Sequence, residues 1–139
     1  MLSEIYTKTL WQIFNGNIDF TNDEFAAYLI SYTEYTPDSD NDTDIGDISD
    51  SAILATANVT GKYMDGLNLY ADSIVFESVD NIGVDGDAIV IYRKGTTVSD
   101  SFLYLIIDSS KSSTLPVTPD GTDIVVNWPV EGIVEITKA

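Results

Sequence analysis

The sequence contains no cysteine and no histidine. Without cysteine the chain has no disulfide, no ligand for an iron–sulfur cluster and no thiolate for a metal site. Without histidine it has neither Ser–His nor Cys–His catalysis, and zinc is left with carboxylate ligands alone, which suit it poorly. Among the 23 acidic residues no pair stands out as the two carboxylates of a glycosidase. We therefore expect no enzyme, no metal ion and no cofactor.

Basic residues are also scarce, with six lysines and arginines against 23 aspartates and glutamates, a formal net charge of −17. Such a surface repels the phosphates of nucleic acids and the headgroups of anionic lipids, so we expect neither nucleic acid nor membrane as a partner. The longest apolar runs, 88–92 and 102–107, fall far short of the roughly 20 residues that span a bilayer. The first 14 residues do not resemble a signal peptide, and we expect synthesis in the cytosol.

The 139 residues and their 44% hydrophobic content fit one folded domain over 1–139, with a core that buries roughly two-thirds of the unfolded surface. The first 16 residues predict an amphipathic helix over 3–15, with Ser3 as the N-cap and the end at Asn15 and Gly16. Its apolar stripe has helical spacing and consists of Leu2, Tyr6, Leu10 and Ile13.

After Gly16 the apolar pattern changes to the period of β-strands. Segment 25–35 predicts a strand that leaves the core for an edge, and the continuous apolar runs 88–92 and 102–107 predict buried central strands. Further strands are predicted at 67–69, 74–76, 124–128 and 132–137, with Pro129 interrupting the last ladder. About seven to nine short strands and one good helix predict a mainly β fold, an antiparallel β-sandwich or small barrel with one N-terminal amphipathic helix.

The acidic segment 36–50 predicts a long surface loop that is poor in core-forming residues. Its aspartates at alternating positions resemble the start of an EF-hand calcium loop, because calcium prefers several oxygen ligands from one short turn. Counted from Asp38, however, the position that needs glycine is Thr43 and the position that needs glutamate is Ser49. A solvated loop and a calcium site both remain open, and the solvated loop is the simpler interpretation.

The aromatic side chains are the remaining functional signal, because tyrosine and tryptophan anchor protein interfaces. Trp128 lies in an inward-facing register, so we expect its side chain to pack in the core. Trp11 lies on the flank of the helix, away from part of the apolar stripe, and is the better candidate for an interface. The helix either covers one end of the core or docks on a neighbouring protein, and for docking the predicted partner-binding residues are Tyr6, Leu10, Trp11 and Phe14.

Seven ordered segments give the chain a resemblance to small structural proteins of tailed bacteriophages. The strongest is LPVTPDGTDI within 115–128, and the others lie at 15–20, 25–30, 35–38, 59–76, 88–95 and 103–108. The resemblance implies a β-sandwich without enzymatic role, made in the host cytoplasm and carried by the virion. It further implies a decoration or cement protein that binds the major capsid protein on the outer head. The sequence departs from this family after Trp128, where the usual glycine- and asparagine-containing turn is replaced by Pro129 to Gly132.

Two other functions are consistent with the same residues. One is a structural component of the phage tail or neck, and the other is a module that binds the host surface or its glycans through the acidic segment and the tyrosines. For a capsid protein added in many copies, a high like charge would keep free copies apart, as monomers or as a homo-oligomer such as a trimer, until they meet the shell.

Overall fold

A computed structural model describes residues 4–66, 68–109, 114–128 and 132–135. This part of the chain contains one α-helix, two 3-10 turns and ten β-strands, and the predicted mainly β fold with one N-terminal helix is confirmed. The elements are β1 (Glu4–Ile5), α1 (Thr7–Phe14), β2 (Phe25–Ile30), β3 (Ile53–Val59), β4 (Tyr63–Asp65), β5 (Asn68–Tyr70), β6 (Ile74–Phe76), β7 (Ala88–Arg93), β8 (Leu103–Asp108), β9 (Ile124–Val126) and β10 (Val134–Glu135).

The largest sheet has five antiparallel strands in the order β1-β8-β7-β2-β3. Strands β7 and β8 are pure apolar runs over most of their length, because both of their faces are buried, and the prediction that they are central is confirmed. Strand β2 is also internal, since it pairs with β7 on one side and β3 on the other. The prediction that this segment runs out to an edge is therefore wrong.

Two small antiparallel sheets form a second layer, with the orders β10-β5-β4 and β6-β9. The first core lies between them and one face of the large sheet, as in a β-sandwich. From the large sheet it takes Phe25, Ala27, Leu29, Ile89, Ile91, Leu105 and Ile107, and from the second layer Leu69, Ile74, Phe76, Val126 and Ile133. The half-buried Trp128 packs against this core, which confirms its predicted role.

The opposite face of the large sheet has a core of its own, and the acidic segment helps to cover it. The 3-10 turns Ile45–Asp47 and Asp50–Ala52 bring Ile48 and Ala52 into this second core, with 3% and 0% of their surfaces exposed. The segment lies on the surface, as predicted, and Ile48 is the one buried residue within 36–50. That side chain and Ala52, just after the segment, nevertheless reach the second core. Two isoleucines among aspartates are too sparse to produce a periodic apolar pattern.

We expect Ile48→Ala to lower the free energy of unfolding by about 3 kcal/mol, because the substitution leaves a cavity beneath the acidic segment. The matched control is Ile82→Ala, since the side chain of Ile82 is 65% exposed and its truncation changes stability by less than about 0.5 kcal/mol. Urea titration of both variants measures the difference. Equal stabilities would show that the acidic segment does not seal the second core.

The N-terminal helix is shorter than predicted. Helix α1 begins at Thr7, after residues Glu4–Ile5 have paired with β8 as a strand, and it ends at Phe14. The predicted end is confirmed, because Asn15 is the C-cap and Gly16 adopts a φ of +75°, a left-handed conformation that glycine adopts without steric cost. Leu2, the predicted N-cap Ser3, Leu67 and Pro129 lie outside the described residues.

Strands β1, β3 and β4 were not predicted. Strand β3 has the sequence ILATANV, in which two alanines and an asparagine weaken the alternation of apolar and polar residues that marks a strand. The strand is stabilised instead by its pairing with β2, which the alternation of its own residues does not reveal. Within the described ranges, no helix has both the length and the apolar character that crossing a bilayer requires.

Candidate docking surface on the N-terminal helix

The outer side of α1 carries three exposed apolar side chains. Leu10, Trp11 and Phe14 expose 39%, 69% and 85% of their surfaces, and with Thr7 and Asn15 they line a shallow depression that we call the α1 surface. Residues three and four positions apart share one side of a helix, which places Phe14 beside both Leu10 and Trp11. Side chains of this size are seldom exposed together without a partner. Three of the four predicted partner-binding residues thus form one surface.

Contacts on the inner side of α1 hold this surface in place. The amide of Tyr6 donates to the carbonyl of Tyr104 at 3.1 Å, and the amide of Thr7 donates to the carbonyl of Ser39 at 2.7 Å. The hydroxyl of the buried Thr9 donates to the carbonyl of Leu103. Because these hydrogen bonds already hold the helix in position in the free protein, little conformational entropy is lost on docking.

Tyr6, the fourth predicted partner-binding residue, is not part of the α1 surface. Its side chain is 0% exposed in the second core, and its hydroxyl lies 3.1 Å from the hydroxyl of Tyr35, which donates to Asp42 at 2.6 Å. Burial is the main cause that raises the pKa of Tyr6 well above its ordinary value. The prediction of direct contact is therefore corrected: Tyr6 anchors the start of α1 from inside the protein.

None of the five residues that line the α1 surface is acidic, although the chain as a whole has 23 acidic residues. Asp40 lies at its border, where its carboxylate accepts a hydrogen bond from the hydroxyl of Thr7 at 2.9 Å. In the described part of the chain, one ion pair was found, between Arg93 Nε and Asp23 Oδ2 at 3.5 Å. With a net charge of −17 the exterior as a whole is strongly negative, whereas the residues that line the α1 surface are uncharged. Such a contrast favours a specific apolar contact over general adhesion.

The aspartates of the acidic segment mainly organise its own backbone. Asp44 accepts from the amide of Gly46 at 2.8 Å, and Asp47 accepts from the amide of Thr43 at 2.7 Å. Asp38 accepts from the side chain of Asn41, and this bond is the main cause that lowers the pKa of Asp38. Over the described ranges, no group of three or more carboxylates converges as metal ligands would. These aspartates therefore stabilise the turns of the segment.

Four of the eight tyrosines are buried in the interior. Tyr35, Tyr92 and Tyr104 are each at most 8% exposed, so they offer no stacking platform to a sugar. Tyr63 is 53% exposed, and it stacks on Tyr70 with ring centroids 4.9 Å apart and an interplanar angle of 11°. A glycan-binding module would need more exposed rings around a cleft. This geometry gives the glycan hypothesis little support.

Compared with models of protein families and with curated proteins, the chain matches none.

Proposed function

We propose that the domain is a decoration or cement protein of a tailed bacteriophage, which binds the outer surface of the head and stabilises it. The observation that carries this proposal is the α1 surface, where Leu10, Trp11 and Phe14 stand exposed on a helix that is fixed to the large sheet. The resemblance of the segments along the sequence supports the same class of protein. Docking, and not catalysis, is the role that these features favour.

The charge of the chain suits a protein that assembles in many copies. Free copies with a net charge of −17 repel one another, so they stay dispersed at high concentration. The residues that line the α1 surface are uncharged, and a carboxylate that borders them, that of Asp40, is already hydrogen-bonded to Thr7 at 2.9 Å. Many such contacts on one particle reinforce one another when each copy bridges neighbouring subunits. On this proposal the main partner is the major capsid protein, and a homo-oligomer such as a trimer would bridge more subunits at once.

The proposal is tested by mixing the purified protein with mature, expanded heads that lack it and sedimenting the particles. We expect the protein to pellet with heads in a saturable manner and to raise the temperature at which the heads lose their DNA. Purified tails are the control. Pelleting with tails alone would assign the protein to the tail or neck, and no pelleting with either would remove the virion role.

A further inference from the structure

A second recognition feature lies on the opposite edge of the large sheet from β1. Strand β3 is the outermost strand there, pairs only with β2, and runs for seven residues. Its sequence has no charged residue and no proline, two of the usual means of protecting an edge from further pairing. Its β-bulge lies near the start of the strand, so residues 55–59 form a regular edge. A long, neutral edge strand is a template for another strand.

The register identifies which residues of β3 present unpaired backbone groups. The amide of Lys94 donates to the carbonyl of Glu24, next to the paired Phe25 and Arg93, so the even-numbered residues of β2 bond to β7. Since backbone direction alternates along a strand, the odd-numbered residues of β2 bond to the odd-numbered residues of β3. On the regular part of β3, Thr56 and Asn58 therefore point their amides and carbonyls outward. Leu54 is the extra residue of a β-bulge opposite Leu29 and Ile30, where the alternation is interrupted.

The outward backbone groups of β3 line a groove of about 650 Å³, which lies between β3 and the segment formed by β6 and the turn after it. One side is β3, and the other is formed by β6 and the turn after it, which supply Val75, Val79 and Ile82. Ala55 and Ala57 leave room on the β3 side because their side chains are short. The groove, which we call the β3 groove, can accept a chain about as thick as one strand, with apolar side chains on its inner side.

Acidic residues give the β3 groove a charge preference. Glu77 and Asp80 line it, and no lysine or arginine does. Among the described residues, neither carboxylate forms an ion pair. Lys94 reaches only the end of β3, where its ammonium lies 3.4 Å from the side-chain oxygen of Asn58. A segment with lysine or arginine on its outer side would complement the groove.

We propose that the β3 groove binds an extended, basic segment of a partner protein as an added β-strand. Backbone hydrogen bonds to Thr56 and Asn58 supply the pairing, and alternate apolar side chains of the segment pack toward Val75 and Val79. This inference does not depend on the capsid proposal, because it uses another edge of the fold and fits any partner with such a segment.

A second copy of the chain fits the groove less well than a single strand. Because β3 borders a groove whose other side is the second layer, the β3 edges of two copies would meet only if those layers moved aside. Such pairing would also bring the Glu77 and Asp80 carboxylates of two strongly negative proteins together. Concentration-dependent pairing of β3 without any peptide would nevertheless identify a second copy as the occupant.

The probe is an acetylated and amidated peptide that alternates valine with lysine or threonine, titrated into the labelled full-length protein. We expect NMR shift changes concentrated at Thr56 and Asn58, and slower exchange of their amide protons once the peptide is bound. The same peptide with N-methyl groups on alternate amides cannot pair, and we expect it to bind at least about tenfold more weakly. Replacing its lysines by glutamates should also weaken binding.

Variants of the protein separate strand pairing from general attraction. Thr56→Pro removes one outward amide on an edge strand, where proline is tolerated, and should abolish peptide binding. Thr56→Val keeps the amide and a good strand former, and should bind like the unmodified protein. Circular dichroism checks that both variants fold. If Thr56→Pro unfolds, the N-methylated peptide still decides the question on the unmodified protein.

Two results would overturn the inference. One is the absence of shift changes along β3 at about millimolar peptide, which would leave only negligible affinity. The other is equal binding of the N-methylated peptide, since attraction without backbone pairing would then explain the contact.

Discussion

Replacing Trp11 and Phe14 together by serine abolishes detectable binding to phage heads while the protein remains folded. Truncating a buried aromatic anchor of an interface costs about 2 kcal/mol or more, so losing both weakens binding at least about a hundredfold. The fold is spared because these side chains are 69% and 85% exposed in the free protein. Co-sedimentation with heads measures the binding, and a urea titration checks the stability.

The matched control replaces another exposed apolar pair, Tyr63 and Met64 on β4, by serine. These side chains are 53% and 52% exposed, so the two double variants remove comparable kinds of surface from different sides of the domain. We expect the β4 variant to bind heads as the unmodified protein does. If both variants bound equally well, the α1 surface would not be the docking site.

Raising the pH from about 8 to about 11 lowers the free energy of unfolding, by about 1.4 kcal/mol for each tyrosine that keeps its proton only in the folded chain. The groups responsible include Tyr6, Tyr35 and Tyr104, which are at most 6% exposed. Burial also raises the pKa of Tyr92 and of Tyr32. Burial is the largest cause of each shift: it raises the pKa of Tyr104 to about 12 and the pKa values of Tyr6 and Tyr35 further above the ordinary value. Above about pH 10 the unfolded chain releases these protons while the folded chain keeps them. The stabilising contribution is therefore complete below about pH 10 and is lost as the pH approaches the folded pKa values.

Tyrosinate absorbance followed together with near-ultraviolet circular dichroism tests this dependence. We expect the buried tyrosines to ionise only as tertiary structure is lost, so that the two signals change together. A Tyr35→Phe variant should show a shallower loss of stability with pH, because one titrating group is absent. Ionisation of all eight tyrosines near pH 10 in a protein that stays folded would contradict the burial of the second core.

The strands with continuous apolar runs could be predicted from the sequence, because β7 and β8 are buried on both faces and need no polar neighbours. Strand β3 could not, since its conformation depends on pairing with β2 and not on its own alternation. Ile48 was missed for a related reason. Its burial depends on 3-10 turns that aspartates stabilise. An isolated apolar residue in a segment rich in aspartate gives no periodic pattern from which burial could be predicted.

The candidate site was predicted in part, because helical spacing identifies neighbours but not the side that faces the core. Leu10 and Tyr6 share a predicted stripe, yet Tyr6 precedes the helix and turns inward, whereas Leu10 remains partly exposed. The missing information was strand β1, whose pairing with β8 sets the direction in which α1 begins. Trp11 was identified by its position on the helix flank, and both it and Phe14, which was predicted as a partner-binding residue with it, are exposed.

A density map of the intact virion tests the central proposal most directly. The proposal predicts regularly repeated copies on the outer surface of the head, each with α1 facing the shell and with Trp11 and Phe14 inside the contact. Copies found only at the tail or neck, or copies on the head whose α1 surface faces solvent, would contradict it.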